Sequence, residues 1–145
     1  MNEQKKEYLR GYLRHVRRIK RIESELEELR AMKYSVSVGN DGMPRGSGSS
    51  DLSAYAAQLD RFERDLVKER YNRIVAYKDI AQRINSISND NERDVLFYRY
   101  IKGIEWWEIA EMMNYTERWV LKLHGKALVH FELPKEFMEI HPDMC

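Results

Sequence analysis

Asn91 to Phe131, NERDVLFYRYIKGIEWWEIAEMMNYTERWVLKLHGKALVHF, is the stretch on which the reading of this chain turns. It divides into three short helices separated by tight breaks. Asp90 precedes the first as an N-cap, because its carboxylate can accept orphan amide hydrogens. Val95, Leu96, Tyr98 and Arg99 lie in the middle of that helix. Gly103 ends the segment, since glycine takes the left-handed conformation readily. The spacing predicts a second helix over about Trp106–Met113, with Trp106, Ile109, Ala110 and Met113 on one stripe and Glu108 and Glu111 opposite. After a break at Asn114-Tyr115, Thr116 offers a hydroxyl cap to a third helix, about Glu117–Val129.

On the third helix Val120, Leu123, Ala127 and Phe131 make an apolar stripe at the spacing of a buried face. The other face carries Arg118, Lys122, Gly125 and Val129, with Trp119 and Lys126 on one flank and Leu121 on the other. Two helices joined by a short turn, the second with a basic outward face, form the pattern of a helix-turn-helix. Arg and Lys there can reach phosphates or guanine edges, and Trp119 or Leu121 can meet a thymine methyl. Gly125 weakens a helix interior, so its presence fits close approach of another backbone, from DNA or from a helix. A small bundle whose basic face is only solvated fits the same periodicity, which leaves the two open.

The segment resembles region 4 of bacterial sigma factors, in which a helix-turn-helix reads a promoter element. The likeness rests on Arg-Tyr-x-x-Gly at Arg99 to Gly103, on Ile109-Ala110, and on Thr116 followed by a helix ending Lys126-Ala127-Leu128. The whole chain is similar to small phage and prophage proteins of Firmicutes related to ArpU/RinA-type late-transcription regulators. That likeness rests on Trp-x-x-Ile-Ala (Trp106 to Ala110), Leu-His-Gly-Lys-Ala-Leu (Leu123 to Leu128) and the loop Met43-Pro-Arg-Gly-Ser-Gly-Ser-Ser50. Trp119 and Leu121 stand where sigma recognition helices tend to carry polar or charged groups, and Glu117 adds a carboxylate beside the same face. The resemblance implies double-stranded DNA as ligand and host RNA polymerase as a candidate partner. The implied DNA-binding residues are Thr116, Glu117, Arg118, Trp119, Leu121, Lys122 and Lys126.

The 145 residues suit one domain, or a small domain with an extension. A formal net charge of +1 gives no argument from bulk charge for or against nucleic acid. A single cysteine, Cys145, excludes a disulfide framework and fits a reducing cytoplasm, here that of a bacterial host. The charged start, with no long apolar run after it, argues against a signal peptide and a membrane span. With 34% charged residues and little strand-like alternation, the expected class is all-α.

The expected architecture is a long antiparallel helical hairpin, a coiled-coil stalk, followed by a trihelical helix-turn-helix of the sigma region 4 type. Residues 1–34 read as one long helix, with Leu9, Leu13, Val16, Ile19, Ile22, Leu26, Leu29 and Met32 on a narrow seam. Lys5, Lys6, Arg10, Arg14, Arg17, Arg18, Lys20 and Arg21 crowd its first half, read as an exposed coiled-coil face paired with acidic residues of a neighbour, with an auxiliary phosphate-binding surface as the alternative. Residues 35–50 read as a flexible Gly/Ser loop, without the spacing of a phosphate-binding loop. Residues 51–88 read as the second long helix, capped by Ser50 or Asp51. Its seam is Leu52, Tyr55, Leu59, Phe62 and Leu66, drifting to Ile74, Tyr77, Ile80, Ala81, Ile84 and Ile87. Residues 90–131 are the expected DNA-binding domain and 132–145 a tail. Two helices bury little area, so a homodimer through the hairpin is expected.

No catalytic, cofactor or metal constellation is apparent. His15, His124, His130 and His141 lack metal-ligand spacing, and no serine sits in a nucleophile elbow. Two classes of function follow: a DNA-binding transcription regulator, and an interaction module of the small-terminase, DNA-packaging or polymerase-binding kind.

Overall fold

A computed structural model describes the backbone of residues 2–38 and 48–140 and the side chains of 2–32 and 52–137. The elements are α1 (Asn2–Leu9), α2 (Gly11–Val38), α3 (Gly48–Asn85), α4 (Asp90–Leu96) continuing into a π-helical turn (Phe97–Ile101), α5 (Trp106–Met113), α6 (Glu117–His130) and α7 (Lys135–Ile140). No strand occurs among the described residues, and the chain is all-α. No helix among them is long and apolar enough to cross a membrane. The contacts fall into two compact units. One is His15–Asn72; the other joins the residues up to Arg14 with those from Arg73 onward.

In the His15–Asn72 unit, α2 packs on α3 through Ile19, Leu26 and Leu66, with Ile22, Leu59 and Phe62 against them. Polar pairs flank this seam: His15 is hydrogen-bonded to Glu69 at 2.9 Å, Arg18 also reaches Glu69, and Arg30 reaches Glu63. The seam is shorter than the apolar pattern suggests, since Met32 and Leu52 stand 60% and 55% exposed. Further along α3, in the other unit, Ile74 and Tyr77 are also exposed, whereas Ile80 and Ile84 are buried, as is Ile87 just past its end.

The second unit departs most from expectation. The expected single helix over 1–34 is interrupted at Arg10, between α1 and α2. α-Type bonds still bridge the break, from Arg10 N–H to Lys6 C=O at 2.9 Å and from Arg14 N–H to Arg10 C=O at 3.3 Å. Gly11, a weak helix former, lies at the interruption. α1 then belongs not with a stalk but with the C-terminal helices. It buries Gln4, Lys5 and Leu9, and contacts α6. The compact unit is therefore larger than the expected 90–131.

Lys5, read from sequence as a surface charge, is buried. Its ammonium donates to the carbonyls of Leu128 at 2.6 Å and Val129 at 3.4 Å. These lie in the last turn of α6, where carbonyls lack intrahelical partners and the helix dipole is negative. Burial pushes the Lys5 pKa below its ordinary value, while the Glu132 carboxylate pulls it up. Arg83 fixes the segment after α6 in a similar way, donating to Glu132 C=O at 3.1 Å while paired with Asp79.

Other boundaries shift. Residues 35–38 and 48–50 of the expected loop are helical, and the remainder lies outside the described residues. α3 starts at Gly48, so Ser50 and Asp51 fall inside the helix rather than capping it. It ends at Asn85, not 88, and Ile87 is buried beyond its end. Asn89 replaces the expected Asp90 as cap of α4, its side chain accepting from Glu92 N–H at 3.0 Å. Within the expected tail, α7 brings Phe137 edge-on to Tyr8 at 5.4 Å. Met138, Ile140 and Cys145 fall outside the described side chains.

Replacing Lys5 by Met keeps most of the stem and removes the donor. The expected outcome is a loss of about 1–3 kcal/mol, the penalty for stranding buried acceptors. It is measured as a lower urea midpoint at unchanged slope; an unchanged midpoint would show that the ammonium contributes nothing to the end of α6.

Candidate nucleic-acid interface

The site is built on α6, and its core side determines what its other side presents. Val120, Leu123, Ala127 and Phe131 are all at most 3% exposed. Val120 and Leu123 pack with Val95, Ile109 and Ala110, and Tyr98, Ile104, Trp106 and Met113 close around that cluster. Each fully buried side chain of this size contributes about 1.5–3 kcal/mol. Together they outweigh any single cap and fix the rotation of the helix.

α6 begins where the sequence predicts. The Thr116 hydroxyl oxygen accepts from Trp119 N–H at 3.1 Å. The preceding turn is made by Asn114, left-handed at φ 60°, a conformation that Asn tolerates. Tyr115 N–H then bonds back to Ala110 C=O at 2.9 Å. α5 spans Trp106–Met113 as expected from its apolar stripe.

The π turn is invisible to a 3.6-residue pattern. Lys102 N–H bonds to Phe97 C=O at 3.1 Å, five residues back, and Ile104 N–H bonds to Tyr98 C=O at 3.0 Å. The extra residue in the turn swings Tyr100 and Ile101 into the core, both under 9% exposed. The Tyr100 hydroxyl lies 2.7 Å from His124 Nε2, and Trp106 meets the same imidazole edge-on at 4.7 Å. Arg99 stacks over Trp106 at 4.5 Å and donates to Ile104 C=O at 3.2 Å. Gly103, at φ +69°, makes the turn between them. These contacts join the π turn, α5 and α6 into one support.

Every residue expected on the DNA side is exposed: Thr116, Glu117, Arg118, Trp119, Leu121, Lys122 and Lys126. Arg118, Lys122 and Val129 share the outward line, with Gly125 between them partly exposed. Among the described residues no carboxylate pairs with Arg118 or Lys122, although most arginines of the chain are paired. Lys126 sits over the Trp119 ring, 5.0 Å from its centre. Glu117 lies on the flank, not on the outward line.

Two neighbours of this face do not emerge from the apolar pattern. Tyr115, 39% exposed, meets Trp119 edge-on at 6.5 Å, and its hydroxyl accepts from Asn91 Nδ2 at 3.0 Å. An exposed aromatic in a break beside a cap is the only sequence signal for it. The remaining histidines are engaged elsewhere: His15 with Glu69, and His130 with the buried Glu92 at 2.8 Å. His141 lies outside the described residues.

No protein-family model, curated protein or solved structure matches this chain.

Burial, reinforced by Lys6, Arg99 and Arg10, lowers the His124 pKa from 6.5 to about 4. Burial likewise pushes the Tyr100 phenol above its ordinary value, against the pull of Arg10 and Arg99. The unfolded chain thus binds a proton between about pH 6.5 and 4 that the folded chain refuses. Stability is complete above this window and falls as pH drops through it, by up to about 3 kcal/mol. In His124→Gln the urea midpoint, followed from neutral pH down through the window, should slope less than in the wild type. Parallel profiles would assign the acid sensitivity to other groups.

Proposed function

We propose that the chain is a phage- or prophage-encoded DNA-binding transcription regulator, an activator of late genes. α5 and α6 form a helix-turn-helix of the sigma region 4 kind, and α6 is the helix that enters the major groove. The observation that carries this reading is the outward line of α6. Its cations, Arg118 and Lys122, are solvent-facing and have no carboxylate partner among the described residues, on a helix otherwise packed along its inner face and capped at both ends.

In this reading Arg118 and Lys122 supply charge and donors to phosphate oxygens or guanine edges. Lys126 and Trp119 act together: the ammonium lies over the ring, 5.0 Å from its centre, and the exposed indole offers apolar surface to a thymine methyl, as Leu121 does on the other flank. The Thr116 oxygen is occupied as a cap, and its O–H remains available to a phosphate. Glu117 repels phosphate nearby and narrows the approach angle.

α2 and α3 form the antiparallel hairpin, supported by the opposite order of the pairs His15–Glu69 and Arg30–Glu63 along the two helices. A groove of about 680 Å³ along it has Leu26 and Leu66 at its floor and Glu23, Glu27, Arg30, Glu63 and Arg70 around it. The rim charges pair within the chain, Arg30 with Glu63 and Arg70 with Glu23, so the apolar floor is the surface this reading gives to a second copy, and the homodimer would offer two half-sites. The bacterial cytoplasm and contact with host RNA polymerase follow from the resemblance.

A second reading has its own observation. α5 turns Trp107 and Met112 to solvent, 55% and 54% exposed, beside Glu108 and Glu111. Such a face suits a protein, and favours an interaction module of the polymerase-binding or DNA-packaging kind. Salt separates the two, because counterion release makes DNA affinity fall steeply with salt and an apolar interface lacks that dependence.

The double variant Arg118→Ala/Lys122→Ala should bind duplex DNA at least about tenfold more weakly, with its melting temperature unchanged. Its log–log salt slope should flatten by about 2. Unaltered affinity in a gel shift would remove α6 as the reader. Separately, Val67→Glu, at a residue 67% exposed on the groove's edge, should shift the protein towards monomer in sedimentation without changing its helical signal. A persistent dimer would place the interface elsewhere.

A further inference from the structure

We infer that Gly125 is where α6 lies closest to the wall of the DNA groove, a positioning residue whose missing side chain sets how deep the helix seats. The inference rests on the DNA reading of α6 above.

A glycine inside a helix weakens it relative to alanine, so its occurrence calls for a reason. Nothing among the described residues supplies one. A Cβ built on Gly125 meets no atom within 4 Å outside its own stretch of helix, and its φ is not positive. Gly103 gives the contrast: its φ is +69° and a Cβ there would meet Leu13 at 3.4 Å. Gly103 is required by the fold; Gly125 is not.

Its position supplies the reason instead. Gly125 stands on the outward line between Lys122 and Val129, with Lys126 beside it. An α-helix with its side chains is about 10–12 Å across, and the major groove is about 12 Å wide. The fit is close, so one side chain removed from the inserted line lets the backbone approach. The cations next to the gap favour an anionic wall over an apolar partner: Arg118 and Lys122 are unpaired and Lys126 is exposed. A methyl added at Gly125 would hold the helix off and lengthen the contacts made by Lys122 and Lys126 together.

The test is Gly125→Ala in the full chain, read in two ways. Thermal unfolding should move up by about 3 °C, because alanine improves the helix and meets no clash. Affinity for a duplex selected on the wild type from a random-sequence pool should fall by about tenfold, measured by fluorescence anisotropy. Opposite signs in the two readouts are the expected result. Equal or tighter binding overturns the inference; if Arg118→Ala/Lys122→Ala still weakens binding, the DNA reading survives that failure. If the double variant also binds normally, or the wild type selects no duplex, both fall. A lowered melting temperature would reveal an intrachain need for the glycine and overturn it too. So would a variant that keeps DNA affinity but loses self-association in sedimentation, which would give the face to a second copy.

Discussion

A short helix that must bury one side and offer the other depends on being held at a fixed rotation. α6 meets this constraint through Val120, Leu123, Ala127, Leu128 and Phe131, all buried, which together contribute several times the stabilisation of either cap. The caps do something else. Thr116 sets where the helix starts, and Lys5 satisfies the carbonyls where it ends. Rotation, start and finish are thus determined by different residues, and the direction in which Arg118 and Lys122 point follows from all of them.

The sequence features that suggest a resemblance divide along the same line. Arg99, Tyr100 and Gly103 form the joint between the π turn and α5. Trp106, Ile109 and Ala110 form the packed side of α5, and His124 closes the joint from α6. None of these reaches the outward line. They are residues of support, so a pattern built from them speaks for an arrangement of helices and is silent on the ligand. Of Leu123 to Leu128, only Gly125 and Lys126 face outward. On the proposed DNA reading, selectivity falls to the exposed residues of α6 outside the core: Arg118, Trp119, Leu121 and Lys122.

α5 and α6 were legible because each is a single amphipathic turn-and-a-half or more with its breaks marked locally. Asn114, Thr116 and Gly103 all do in the structure what their side-chain chemistry suggests. The departures at Lys5 and α1 have one physical origin: interactions between residues far apart in sequence. Lys5 and Leu128 are 123 positions apart, and a lysine in a basic run reads as solvated until the carbonyls it meets are known. α1 therefore looked like the start of a stalk. The π turn is hidden for a local reason, since one extra residue shifts the 3.6-residue register and puts Tyr100 and Ile101 in the core after Val95 and Leu96. Helix ends at Gly48, Asn85 and Asn89 were off by a few residues, as propensity defines ends poorly.

Charge shows why distribution matters more than the total. A chain of net charge +1 has nearly equal numbers of cations and anions, and much of that charge is cancelled in place. Arg14 is held by Glu7, Arg30 by Glu63, Arg83 by Asp79 and Arg93 by Asp90. Exposed pairs of this kind add little stability, at most about 1 kcal/mol each. Their larger effect is on the field outside the protein, which they nearly erase where they occur. On the outward line of α6 that cancellation is missing. Among the described residues no carboxylate answers Arg118 and Lys122, which face solvent, so a chain of net charge +1 still carries a local excess of positive charge there. Its attraction decays within a Debye length, about 8 Å at physiological salt, so these cations act only on an anionic surface already close to the helix. On the proposed DNA reading, long-range steering is then weak and selectivity is achieved at contact, where the shape of the outward line, including the gap at Gly125, matters as much as its charge.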